Sequence, residues 1–127
     1  MKFAHVEQYF QMHKALYAGK RDIADKIRNT QGPLECKILG DKVEVDDNWL
    51  PQAKRIMMKA CEFKFNLCET PKRFLLETKD KVIAEATTDK IWGTGLRLGD
   101  PKITDKNWVG ENLMGNILMT VRDTIDN

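Results

Sequence analysis

Apolar and aromatic residues recur at steps of three and four from almost the first position. Val6, Tyr9, Phe10, His13, Leu16 and Tyr17 predict a helix from about residue 5 to Ala18 with one buried face. Gly19 is its stop signal. Ile23, Ala24 and Ile27 predict a second short helix, broken by Gly32-Pro33, and Leu34 to Leu39 form a further apolar turn closed by Gly40. The acidic stretch Asp41 to Asp47 reads as a loop that offers Asp46, Asp47 or Asn48 as the cap of the longest helix, with Pro51 in its first turn. That helix runs to about Leu67 and buries Trp49, Ala53, Ile56, Met57, Ala60 and either Phe63 or Phe65, leaving Lys54, Arg55 and Lys59 to solvent. Thr70-Pro71 reads as N-cap and first position of a helix to about Thr78 that buries Phe74 and Leu75.

From Lys81 to Thr87 the period changes to two, because Val82, Ala84 and Ala86 alternate with Ile83, Glu85 and Thr87; this predicts one short strand. Ile91 to Gly110 has no period and is rich in Gly, Asp, Pro and Trp, a long loop of the kind that carries function in compact domains. A last helix, about Glu111 to Ile125, buries Leu113, Ile117, Leu118, Val121 and Ile125. The expected fold class is mainly α (α+β), a compact single-domain bundle of about five to six helices with a minor β element.

Composition narrows the class of function. A chain of 127 residues fits one domain with a sizeable core, and 42% hydrophobic with 31% charged residues marks a folded globular protein. With 21 basic against 19 acidic side chains, the net charge of +2 is too balanced for a protein whose main business is coating nucleic acid. Lys54, Arg55, Lys59 and Lys64 on the long helix read as a solvated face, or as a path for a DNA phosphate backbone. Cys36, Cys61 and Cys68 lack CxxC spacing and no paired-histidine motif accompanies them as a zinc site would require, so free thiols in a reducing compartment fit best. His5 and His13 lie on roughly one helix face without a third ligand and read as packing residues. The opening residues carry Glu7 and His5 where a leader needs an apolar run, and no apolar stretch is long enough to span a bilayer; the expected location is cytoplasmic, away from membranes.

Some residues look chemical, each with an ordinary structural alternative. Glu7 lies near a helix start, where a carboxylate also complements the helix dipole. Trp92-Gly93-Thr94-Gly95 places an indole, which can stack on a base, beside glycines that admit a ligand to the backbone, or simply makes a tight turn beside a buried tryptophan. Asp100-Pro101 can cap a turn, and Trp108 to Asn112 can cap the last helix.

Their order carries more than any one of them. Glu7-Gln8-Tyr9-Phe10-Gln11, then Trp92-Gly93-Thr94-Gly95-Leu96, then Gly110-Glu111-Asn112-Leu113-Met114-Gly115 with Leu118-Met119 and Val121-Arg122 resemble the NADAR (YbiA-like) pattern. Lys37-Ile38-Leu39-Gly40, Asn48-Trp49, Met58-Lys59-Ala60 and Glu85-Ala86-Thr87 before Asp89 extend the resemblance over about residues 4 to 124. The resemblance implies one NADAR-like domain over 1–127, no metal and no cofactor, and hydrolysis of an N-glycosidic bond, in a phosphoribosylamino-pyrimidine or in an ADP-ribosylated guanine, as nucleobase or on DNA. It implies Glu7 and Trp92 first as functional residues, then Trp49, Asp100 and Asn112, with Lys37 behind them and Gly93 and Gly95 shaping the loop.

The chemistry suits those residue types. Cleaving an N-glycosidic bond builds positive charge on the sugar, which a carboxylate such as Glu7 stabilises while activating water. Trp92 would stack on the departing base, and Asn112 with neighbouring backbone N–H groups at a helix start would hold a phosphate or sugar hydroxyl. Asp100 would position water or ribose hydroxyls; Lys37 would neutralise phosphate or attack a ring-opened sugar as an amine. The expectation is a single cleft holding Glu7 and Trp92. Asp41 and Glu111 depart from the family by removing positive charge, and Thr94 stands where one branch has aspartate. The family's usual N-terminal stretch with an Asn-Phe segment is not matched, so either the chain is a minimal variant or a partner chain supplies that edge. A non-catalytic ADP-ribose or nucleotide-binding module is the alternative function, and a helical protein-interaction domain a third.

Overall fold

A computed structural model of the chain describes residues 5–105 and 108–125. Residues 1–4 of the opening stretch, residues 106–107 of the expected loop and residues 126–127 lie outside that description. Six α-helices are described: α1 (Val6–Tyr17), α2 (Arg21–Arg28), α3 (Pro33–Asp41), α4 (Trp49–Leu67), α5 (Glu69–Glu77) and α6 (Leu113–Ile125), with a 3₁₀ turn at Pro101–Asp105. The mainly α expectation holds. The chain divides into two compact units, Met1–Lys64 and Phe65–Asn127, each described by itself.

In the first unit α1, α2 and α3 pack on one another around Met12, Ala15, Ala24, Ile27, Cys36 and Val43. The His5 Nδ1 accepts the Gln8 N–H at 3.0 Å as the N-cap of α1, and Gly19, at φ 74°, ends the helix where the stop signal stands. The buried face of α1 is rotated from the expected one. Gln8, Gln11, Met12 and Ala15 are buried with Phe10, whereas Leu16 and Tyr17 are exposed. The cause is polar: the Gln8 side-chain amide lies 3.1, 3.1 and 2.8 Å from the carbonyl oxygens of Ile27, Arg28 and Thr30, closing the C-terminus of α2. A hydrophobicity pattern counts glutamine as outward; a helix end in need of donors draws it inward.

Pro33 occupies the first turn of α3, as the break before it suggests, but Gly40 lies within the helix rather than closing it. Only Cys36 and Gly40 of α3 are buried, and Leu34 and Ile38 are exposed. Asp46 supplies the expected turn before α4, with its Oδ1 accepting the Asn48 N–H at 3.0 Å and the Tyr17 hydroxyl at 2.7 Å. Ala53, Met57, Ala60 and Cys61 are the buried positions of α4.

In the second unit α5 packs on α6. Helix α5 starts at Glu69 with Cys68 at the N-cap, ahead of the predicted Thr70 cap, and Phe74 is exposed while Leu75 is buried. The strand expected at Lys81–Thr87 does not form: no strand is present among the described residues. Its alternation is real, but a strand needs a ladder partner, and here side chains take the backbone groups instead. Arg122 Nη1 donates to Lys81 O at 2.8 Å, the Asn112 amide donates to Ile83 O at 2.8 Å, and the Asn112 Oδ1 accepts the Glu85 N–H at 2.8 Å.

Candidate functional site

In the first unit the candidate chemistry gathers where α1 faces α3. Glu7 sits in the first turn of α1, half-buried, and its Oε1 accepts a hydrogen bond from the Gln11 amide at 3.0 Å. Lys14, a further turn on, donates to the Gly40 carbonyl at 3.1 Å. Residues 7, 11 and 14 stand at i, i+4 and i+7, so one side of α1 presents a carboxylate, an amide and an ammonium in a row. Desolvation pulls the Lys14 pKa below the ordinary lysine value; Asp41 opposes this, Lys37 adds to it, and Glu7 opposes it. The Cys36 thiol of α3 is pushed up by burial and by the negative charges of Glu7 and Glu35. Electrostatics thus link Glu7, Lys14, Lys37, Cys36 and Asp41 in one neighbourhood.

Lys37 is exposed and pairs with Asp41 at 3.2 Å in an i,i+4 contact whose side chains are both 57% exposed, an ion pair worth little in free energy. Lys14 is the residue that periodicity alone passes over. The available signal was the polar 7-11-14 stripe beside an apolar face, which a count of apolar positions discards. Trp49 opens α4, and its ring lies 5.7 Å from that of Phe10 and 5.1 Å from that of Tyr17 on α1, in tilted contacts. An open groove lined by Tyr17, Ala18, Glu44, Val45 and Asp46 lies at the end of α1 remote from Glu7, and its acidic lining is unsuited to phosphate.

In the second unit the Trp92 segment is strapped to the start of α6. The Asp89 carboxylate accepts the N–H groups of Ile91 and Trp92 at 2.8 and 2.9 Å. The carbonyls of Lys90, Gly93, Ile91 and Trp92 accept the N–H groups of Glu111, Asn112, Leu113 and Met114 in that order, at 2.8 to 3.1 Å. These bonds satisfy donors that a helix start otherwise leaves open, so the N–H groups expected to hold a phosphate beside Asn112 are already engaged. The Asn112 side chain is engaged too, its amide donating to the Ile83 carbonyl and accepting the Glu85 N–H, and the residue is buried.

Gly93 is buried because the fold is tight there: a Cβ would come 2.1 Å from the Thr87 methyl and 3.0 Å from two carbonyl oxygens. Gly95 has φ 82°. Thr94 is fully buried, its hydroxyl 3.1 Å from the Glu85 carbonyl oxygen. Trp92 is half-buried. Asp100 caps the 3₁₀ turn by accepting the Lys102 N–H at 2.9 Å. Among the described residues, no cluster of three or more His, Cys, Asp or Glu could hold a metal ion, and no helix is long and apolar enough to cross a membrane.

Comparison with known proteins gives this arrangement a context. Residues 1–126 match the model of the NADAR domain. The protein irg-1 of Caenorhabditis elegans is 37% identical over 98% of this chain and 62% of its own length. N-glycosidase R617 of Acanthamoeba polyphaga mimivirus is 33% identical over 96% of this chain and 74% of its own. Among solved structures, the NMR structure of the Escherichia coli protein YbiA superposes with a TM-score of 0.72 at 27% identity, covering 94% of this chain and 65% of that one. The chain thus spans less than two thirds of irg-1 and of YbiA.

Proposed function

Because the chain belongs to the NADAR family, we propose that it hydrolyses the N-glycosidic bond of a ribosylated base, with Glu7 as the catalytic carboxylate. The observation that carries the reading is the Glu7 carboxylate held on the Gln11 amide with the desolvated Lys14 one turn further along the same side of α1. Water adds to the sugar carbon as its bond to the base nitrogen breaks. Glu7 takes the proton from water and balances the charge on the sugar; the base leaves with the bonding pair and gains a proton.

Lys14 supplies the cation beside this carboxylate. Amine attack on a ring-opened sugar, considered for Lys37, is a separate route that would need a lysine in its neutral form. Lys37 then serves as an outer cation for phosphate. In the second unit Trp92 is the stacking face for the base and Asp100 a contact for ribose hydroxyls, while Asn112 holds the backbone around them. The named activity of the mimiviral relative supports the reaction class. The substrate is an ADP-ribosylated guanine, on DNA or as nucleobase, or a phosphoribosylamino-pyrimidine, in a cytoplasmic setting.

The test incubates the protein with an oligonucleotide bearing ADP-ribosylated guanine and, separately, with the phosphoribosylamino-pyrimidine, following release by mass spectrometry. Glu7→Gln should cost about a hundredfold or more in turnover, with the circular dichroism spectrum unchanged. Release from neither substrate by folded protein would refute hydrolysis. Saturable ADP-ribose binding without turnover would replace it with a binding module.

A further inference from the structure

Gln11 is only 5% exposed, and its side chain has an unusual hydrogen-bond account. The amide N–H donates to Glu7 Oε1 at 3.0 Å, while the amide oxygen is the buried side-chain acceptor that has no hydrogen-bond partner among the described residues. That oxygen lies over Gly40 of α3: a Cβ built on Gly40 would come 1.7 Å from it and 2.5 Å from the amide carbon. Gly40 therefore meets α1 twice, its Cα beneath Gln11 and its carbonyl bound by Lys14.

The fold alone does not call for an amide at this position. A methionine would fill similar space without burying an acceptor that finds no donor. What glutamine adds is the N–H on the carboxylate, and the orientation is forced, since turning the amide over would set oxygen against oxygen at Glu7. We propose that Gln11 is a positioning residue for Glu7, and that Gly40 lacks a side chain so that Gln11 can reach it. Tying one carboxylate oxygen to Gln11 fixes the rotamer of Glu7 and leaves the other oxygen for the reacting groups. This inference rests on the reading that Glu7 performs the chemistry.

The experiment has two arms. In the first, Gln11→Met is compared with the parent and with Glu7→Gln on the ribosylated-base substrates. Gln11→Met should lower kcat by about tenfold to a hundredfold with KM nearly unchanged, and should cost nothing further in the Glu7→Gln background. An equal proportional loss in both backgrounds, or no loss, would overturn the proposal in favour of a packing role. Gly40→Ala should copy Gln11→Met, and Gln11→Met decides alone if the alanine variant does not fold.

The second arm does not depend on turnover. In a ¹⁵N–¹H spectrum of the full chain, the Gln11 side-chain amide should lose its hydrogen-bonded shift in Glu7→Ala, which removes the acceptor oxygen, and a resonance that stays in place would overturn the proposal. If the parent releases nothing from either substrate yet the resonance responds, the hydrolytic reading fails while the Gln11–Glu7 link stands.

Discussion

Replacing Asn112 tests how the second unit is assembled. The residue is 2% exposed, lies at φ 53°, and its amide bridges the Glu85 N–H and the Ile83 carbonyl at 2.8 Å each. Asn112→Ala removes both bonds and leaves one donor and one acceptor behind, which costs about 1–3 kcal/mol each when the groups stay buried. Ile83 and Glu85 are half-buried, so water recovers part of this and the lower half of that range applies. Alanine in the left-handed region adds about 1 kcal/mol that asparagine largely avoids. The sum is about 3–5 kcal/mol, a large share of the about 5–15 kcal/mol that holds a typical domain folded.

Asn112→Gly separates the contributions, since it loses both bonds but accepts the backbone angle, and should recover about 1 kcal/mol of the alanine loss. Urea unfolding followed by circular dichroism and tryptophan fluorescence gives these differences, and hydrogen exchange at Glu85 and Thr94 locates them. An alanine variant within about 1 kcal/mol of the parent, or a glycine variant no more stable than alanine, would refute the reasoning.

Two further predictions concern titration and reactivity. Burial lowers the His13 pKa from its ordinary 6.5, and its ring lies 4.4 Å from Tyr9. The unfolded chain then binds the proton more readily than the folded one, so stability is full above pH 6.5 and falls as the pH drops below it. Urea midpoints from pH 7.5 to 5.5 should show this slope, and His13→Phe should flatten it; a slope unchanged in that variant rejects the assignment. Burial pushes the Cys61 thiol up to about 11, Lys64 opposing and Glu62 adding to the rise, and Cys36 is raised as well, whereas Cys68 is exposed. Iodoacetamide at pH 8 should therefore modify Cys68 first, read by peptide mapping, and early modification of Cys61 would contradict the burial described.

The sequence by itself determined the helices, because their signals are local. The stop at Gly19, the proline in the first turn of α3 and the Asp46 turn before α4 act within a few residues of where they stand. The motif order around Glu7 and Trp92 likewise sufficed for the family. Tertiary structure decided which polar groups go inside. Gln8 is buried because the end of α2 needs donors, Gln11 because Gly40 leaves room beside Glu7, and Asn112 because residues 83–85 have no ladder partner. Hydrophobic periodicity scores each of these side chains as outward. The same blindness predicted a strand at Lys81–Thr87 and passed over Lys14. A lysine's value to a site depends on the desolvation and charges that other helices bring to it, and these exist only once the chain is folded.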